Sequence, residues 1–171
     1  GTLRFCLSPA IISDAPSLLA PSVREAPVGA VAEVCPQALK LAGDIAQRLH
    51  QQNGVALFID YGPLESGSGD SLQAVRGHAF APVLEEPGQA DLTAHVDFAA
   101  LARRALEKGL RIWGPIPQGL WLQRLGVLER TQRLAQAAGP GQKELLLAGT
   151  RRLIDPQEMG TLFKVLALAP P

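Results

Sequence analysis

Val55-Ala-Leu-Phe-Ile-Asp-Tyr-Gly62 is the stretch that decides how this chain folds. Five apolar residues open it, three of them β-branched or aromatic, and such a run reads as a strand covered on both faces, the habit of parallel sheets in α/β proteins. It closes on a carboxylate, a phenol and a glycine. Ligands of open α/β sheets sit beyond the carboxyl ends of the strands, which makes Asp60, Tyr61 and Gly62 the edge of a candidate site.

Working outward, Pro36 opens a helix whose apolar residues Ala38, Leu41, Ala42, Ile45, Ala46 and Leu49 recur at intervals of three and four. Gly54 is the expected C-terminal cap of that helix, directly before the strand. Downstream, Pro63 to Gly69 reads as a loop, and Asp70 is placed to cap a short helix. Asp97 is placed to cap a better one over Phe98 to Lys108, which stops at Gly109. Leu110 to Trp113 predicts a second strand, followed by helices at Gln118 to Leu125, Val127 to Ala138 and Gly141 to Ile154. Leu162 to Leu168 predicts a last strand. On the N-terminal side, Leu3 to Leu7 is a short apolar segment, Ser8 to Pro27 reads as loop with at most one turn of helix, and Val28 to Val34 as extended. Helix before strand, repeated, defines an α/β fold.

Composition narrows the function. The chain has 171 residues, 47% of them hydrophobic, enough for one domain with a core of ordinary density. Sixteen Lys and Arg balance sixteen Asp and Glu, so no global field draws the chain to nucleic acid or to an anionic membrane. No apolar run approaches the roughly 20 residues a membrane helix needs, and the N-terminus lacks the pattern of a signal peptide. Cys6 and Cys35 have no CxxC spacing and are too few for a disulfide framework, which points to a reducing compartment. Abundant Ala, Leu, Gly, Pro and Arg, with few Lys, Asn or Tyr, suggests a GC-rich bacterial gene and a cytoplasmic product.

Chemistry concentrates in three places: the Asp60 strand end, Gly69 to Phe80, and Ala90-Asp-Leu-Thr-Ala-His-Val-Asp-Phe98. Asp60 ends its strand where a carboxylate can meet a ligand, and Tyr61 offers a phenol and an aromatic face to a cation. Against this stands the reading of Asp60 as a cap on nearby amides. Asp91, His95 and Asp97 invite a metal reading, but Asp97 is accounted for as a helix cap and one His without further nitrogen or sulfur ligands does not make a zinc site. Glu65-Ser-Gly-Ser-Gly-Asp70 is neither GxGxxG nor a P-loop and carries two acids of its own, so it reads as flexible loop. Ser66, Ser68 and Ser71 lie outside any GxSxG elbow, and Cys35 precedes a proline, which sets a hydrolase aside. Trp113 and Trp121 read as core before they read as a docking surface.

The order Glu33-x-x-Pro36, Ile59-Asp-Tyr-Gly62, Asp70-Ser-Leu-Gln-Ala74, His78, Pro87-Gly88, Ala90 to Phe98, Gly114-Pro115 and Phe163-Lys-Val-Leu166 resembles the C-terminal half of the MidA family. These are class I S-adenosylmethionine-dependent methyltransferases, whose mitochondrial members methylate protein arginine and assist assembly of respiratory complex I. The resemblance implies a partial Rossmann-like sheet in which Val55 to Ile59 is the fifth strand, Leu110 to Trp113 the sixth, and Leu162 to Leu168 an antiparallel seventh inserted between them. Residues 1–27 would be an insertion or connecting segment, and 28–171 the C-terminal half of the methyltransferase domain. Family members are substantially longer, and the Gly-rich half that binds the methyl donor falls outside this sequence. The chain alone is therefore expected to be inactive, and its fifth strand to need a partner, either the N-terminal half or another copy of the chain. By the same resemblance the substrate is a protein, Asp60 and His95 are the catalytic candidates, and Tyr61, Gly62, His78, Asp91 and Thr93 bind the acceptor. His95 would either position the acceptor or take its proton late. The alternative is an assembly module without catalysis.

Overall fold

The computed structural model describes residues 2–7 and 15–171, with side chains from Ser17 onward in the second span. In chain order these form α1 (Ala15–Leu18), α2 (Pro21–Arg24), α3 (Pro36–Gln52), β1 (Ala56–Tyr61), β2 (Gln73–Arg76), β3 (Ala79–Ala81) and β4 (Asp91–Thr93). Then come α4 (Phe98–Glu107), β5 (Arg111–Pro117), α5 (Gln118–Arg124), α6 (Val127–Ala137), α7 (Pro140–Ile154), α8 (Met159–Leu162) and β6 (Phe163–Ala169). They group into two compact units, residues 37–65 with 96–171, and residues 1–36 with 66–95.

The first of these units is built on a three-stranded sheet of order β1-β6-β5. β6 runs antiparallel to both neighbours, so β1 and β5 are parallel to each other with the reversed last strand between them. That is the strand arrangement expected of the class I methyltransferase C-terminal half. Register fixes which residues share a face: Ala56, Leu168 and Ile112 stand side by side, as do Leu57, Ala167 and Trp113 on the opposite face. α3 and α4 cover the first face, where Ala42, Ala46 and Leu49 meet Phe98, Leu101, Ala102 and Ala105 over Leu166 and Leu168, with Phe58 and Ile112 packed against them. The small residues on both helices let the backbones approach the sheet closely, and the three- and four-residue spacing supplies each apolar stripe.

The opposite face departs from expectation. Leu57, Ile59 and Trp113 are 48%, 43% and 55% exposed, so β1 is covered on one face only and Trp113 is not core. The cause is that α3 and α4 both pack on the Phe58 side of the sheet, while Leu57, Ile59 and Trp113 alternate to the other side.

Asp97 caps α4, its Oδ1 accepting from the Ala100 amide at 2.8 Å. At the end of α3 it is Asn53, at φ 49°, that adopts the left-handed conformation, so the expected cap at Gly54 moves one residue back. The peptide bond before Pro115 is cis, beside a register shift in β5 between Trp113 and Ile116.

The other unit carries a small antiparallel sheet of order β3-β2-β4. The helix expected after Asp70 is not formed: Asp70 Oδ1 accepts from the Leu72 amide two residues on, a local turn, and Gln73–Arg76 continues as the central strand. The segment expected as loop with one helical turn contains two four-residue helices among its described residues, and residues 8–14 lie outside them. Gly69 N–H donates to the Val31 carbonyl at 2.8 Å, and Arg76 pairs with Glu86.

Leu166 is fully buried at the centre of the larger core, whereas Leu145 on α7 is 75% exposed. Leu166→Ala is expected to cost about 2–5 kcal/mol in chemical denaturation, and Leu145→Ala at most about 0.5 kcal/mol. Equal midpoints for the two variants would refute this placement of the core.

Candidate functional site

At the carboxyl end of β1 the backbone is held on every side. Asp60 and Tyr61 are half-buried and Gly62 is buried. Tyr61 N–H, on the free edge of the strand, donates to Asp60 Oδ1 at 2.8 Å, and the Tyr61 carbonyl accepts from Val96 N–H at 3.0 Å. These two bonds satisfy edge groups that a sheet otherwise leaves open. The Tyr61 ring meets Phe163 edge to face, centroids 5.5 Å apart, which limits its rotation. No other protein group among the described residues is recorded on the Asp60 carboxylate. The cap reading of Asp60 is thus realised at Oδ1, through the amide of the next residue.

Gly62 is a steric requirement. A Cβ there would run into the Val96 carbonyl, so the close approach of residues 62 and 96 admits only glycine. Its N–H donates to the Leu162 carbonyl at 3.3 Å. Its carbonyl accepts from Lys164 Nζ at 2.7 Å, and the same ammonium donates to the Thr161 and Leu162 carbonyls at 2.6 and 3.1 Å. Lys164 is 6% exposed, and burial pushes its pKa below the ordinary 10.5. No reading of the sequence picked out Lys164, because its partners are backbone oxygens that leave no residue pattern.

The remaining candidates lie in the other unit. His95 is exposed, and its N–H donates to Ser71 Oγ at 2.9 Å. The Ser71 hydroxyl in turn donates to Glu33 Oε2, so a Glu33–Ser71–His95 chain fixes the backbone at His95. Sequence reading passed over Ser71, although Glu33 and Ser71 both stand in the family-like string. Thr93, in β4 opposite Gln73, has its Oγ1 buried with no hydrogen-bond partner among the described residues. Asp91 is exposed at the start of β4. His78 stands apart: with Gly77 it forms the two-residue turn between β2 and β3, both at positive φ (57° and 65°), as a tight hairpin requires. Its backbone role alone accounts for that position. No cluster of three or more His, Cys, Asp or Glu able to hold a metal occurs among the described residues, and no helix among them is long and apolar enough to cross a membrane.

A methyl donor needs a cradle, and the glycines after β1 do not make one. A Cβ at Gly67 or Gly69 would meet nothing within 4 Å, so both stand in open space.

Comparison with known proteins places the chain in a family. Residues 1–116 match the family described as "Putative S-adenosyl-L-methionine-dependent methyltransferase". The chain is 40% identical over 129 residues to the mitochondrial protein arginine methyltransferase NDUFAF7 homolog of Drosophila melanogaster, covering 75% of this chain and 29% of that protein. It is 40% identical over 139 residues to mitochondrial protein arginine methyltransferase NDUFAF7 of Mus musculus, covering 81% and 31%. The crystal structure of a COG1565 superfamily member from Burkholderia thailandensis bound to S-adenosyl-homocysteine superposes with a TM-score of 0.64 at 25% identity, over 78% of this chain and 35% of that one. The chain belongs to this family of S-adenosyl-L-methionine-dependent methyltransferases. Its matched part spans about a third of the length of the curated relatives.

Gly62→Ala should lower unfolding stability by about 1–3 kcal/mol through the clash with the Val96 carbonyl. Gly67→Ala should change it by less than about 0.5 kcal/mol. A neutral Gly62→Ala in urea denaturation would show that residues 62 and 96 are not in close contact.

Proposed function

We propose that this chain forms the acceptor side of the cleft of a protein arginine methyltransferase, with residues 28–171 as the C-terminal half of the catalytic domain and residues 1–27 as a connecting segment. The observation that carries this reading is the Asp60 carboxylate at the carboxyl end of β1, anchored at Oδ1 by the Tyr61 amide on a strand end that the Tyr61–Phe163 ring contact also holds. The names of the relatives, protein arginine methyltransferases, supply the substrate class.

S-adenosylmethionine supplies an activated methyl group on a sulfonium. What remains for the protein is to hold the attacking nitrogen in line with that carbon and to keep water out. An arginine guanidinium is charged at every physiological pH, so it is oriented through its N–H donors. Asp60 accepts such a donor in a charge-assisted bond, and Tyr61, the next residue of the strand, offers an aromatic face to a cation at the same strand end. The family likeness assigns His78, Asp91, Thr93 and His95 to acceptor binding as well. The attacked nitrogen sheds one proton after transfer, and His95 receives it or positions the acceptor. The donor cradle belongs to sequence outside these residues, so these 171 residues alone bind S-adenosylmethionine weakly or not at all. The exposed Leu57–Ile59–Trp113 face is covered by that remaining half or by a second copy of the chain. The composition favours a bacterial cytoplasmic protein.

Asp60→Asn and His95→Ala, made in an enzyme that joins this segment to its donor-binding part, test the reading. Loss of a carboxylate that organises a guanidinium should cost about 2 kcal/mol in transition-state stabilisation. Methyl transfer should fall at least about tenfold, with donor affinity measured by calorimetry unchanged. Full methylation by both folded variants would make these residues structural caps. Methyl transfer lost without loss of partner binding would count against the assembly-module alternative.

A further inference from the structure

We infer that Lys164 is a positioning residue of the acceptor site, its ammonium fixing the Asp60–Gly62 turn through the Gly62 carbonyl. The inference rests on the reading of Asp60 and Tyr61 as acceptor-side residues and adds a group to which no role has been given. A lysine in the middle strand of a sheet is an expensive choice, since an ammonium leaving water needs strong compensation. Here no acid compensates it: among the described residues no carboxylate lies within ion-pair distance of Lys164. All three of its donors instead go to main-chain oxygens, those of Thr161 and Leu162 at the end of α8 and that of Gly62 just past β1. A cation used only for stability could be replaced by an apolar side chain of like volume, as is often neutral for buried charges. Carbonyls converging on one point could not be so replaced, because those of Gly62 and Thr161 would lose the ammonium donor they share.

The consequence falls on the site. The Leu162 carbonyl accepts from both Lys164 and the Gly62 N–H, so α8 is tied to the end of β1 directly by the Gly62 amide and again through the Lys164 ammonium, which also donates to the Gly62 carbonyl. Within the same turn, Asp60 is oriented by the Tyr61 N–H, and the Tyr61 carbonyl is oriented by Val96. Gly62 has no Cβ to stiffen its own backbone, and Pro63 follows with no N–H to give. Lys164 therefore supplies the constraint on the Gly62 peptide that the local sequence cannot. Catalytic groups must be held within about 0.5 Å of productive geometry, so loss of this constraint appears in turnover before it appears in binding.

The test uses Tyr61, the single tyrosine of the chain. With 3-fluorotyrosine incorporated, wild type should give one sharp fluorine resonance. Lys164→Met should shift or split it at a temperature where far-UV circular dichroism is unchanged. In the donor-competent enzyme the same substitution should lower kcat at least fivefold, with donor affinity unchanged. Lys164→Cys in a Cys6→Ser/Cys35→Ser background, alkylated to an aminoethyl side chain while unfolded and then refolded, should restore both readouts. A Tyr61 resonance that coincides in wild type and Lys164→Met overturns the inference, as does an unchanged kcat. Should Lys164→Met fail to fold, hydrogen exchange of the lysine ammonium groups decides in the unsubstituted chain. Lys164 should exchange far more slowly than Lys40, Lys108 and Lys143, and equal rates would overturn the clamp. Full methylation by Asp60→Asn alongside a displaced Tyr61 resonance would strike the acceptor-site reading and leave the clamp standing.

Discussion

Everything in the larger unit depends on the reversed last strand. β6 is hydrogen-bonded along both edges, over six register positions to β1 and five to β5, and so brings residues more than a hundred positions apart into one sheet. Because side chains alternate strictly across a strand, a slip of one residue would send Leu166 and Leu168 away from α3 and α4 and carry Lys164 to the wrong face. The apolar core and the buried ammonium are therefore consequences of a single register. The core enforces that register with several fully buried side chains, and the ammonium reports it at the end where the site lies.

That arrangement holds the carboxyl end of β1 rigidly. Its edge groups are answered by Asp60 and Val96, the Gly62 carbonyl just past it by Lys164, and that glycine is seated against a neighbouring backbone. A half-buried carboxylate on so constrained a turn loses little freedom when it meets a cation, and such pre-organisation separates a binding carboxylate from a surface one. In the other unit the Glu33–Ser71–His95 chain gives a comparable backbone constraint, and the buried Thr93 hydroxyl has no hydrogen-bond partner among the described residues.

Much of the fold could be read from the chain. Helices α3 to α7 followed from apolar spacing and from Pro36 and Asp97, and three strands followed from apolar runs at 55, 110 and 162. Their order did not follow from periodicity; it came through the likeness of short strings such as Ala90 to Phe98 to a known family. What escaped has physical reasons. Gln73–Arg76 is four residues long, too short for an alternating pattern to stand out, and its hairpin turn is Gly77-His78 rather than the more telling Asn-Gly. Trp113 looks like core by composition and is exposed because it falls on the uncovered side of the sheet. At the site, Asp60 and Tyr61 were visible as polar residues ending an apolar strand. Lys164 was not, since its function depends on a carbonyl 102 residues away.

The central claim is that the end of β1 receives an arginine side chain, and an amide-resolved NMR titration of this chain with a short arginine peptide measures it most directly. Shifts confined to Asp60, Tyr61, Gly62 and the Ala90 to Phe98 segment, and weaker for the same peptide with lysine in place of arginine, are the predicted result. Shifts located elsewhere, or identical for the two peptides, would contradict the assignment of this turn as the acceptor site.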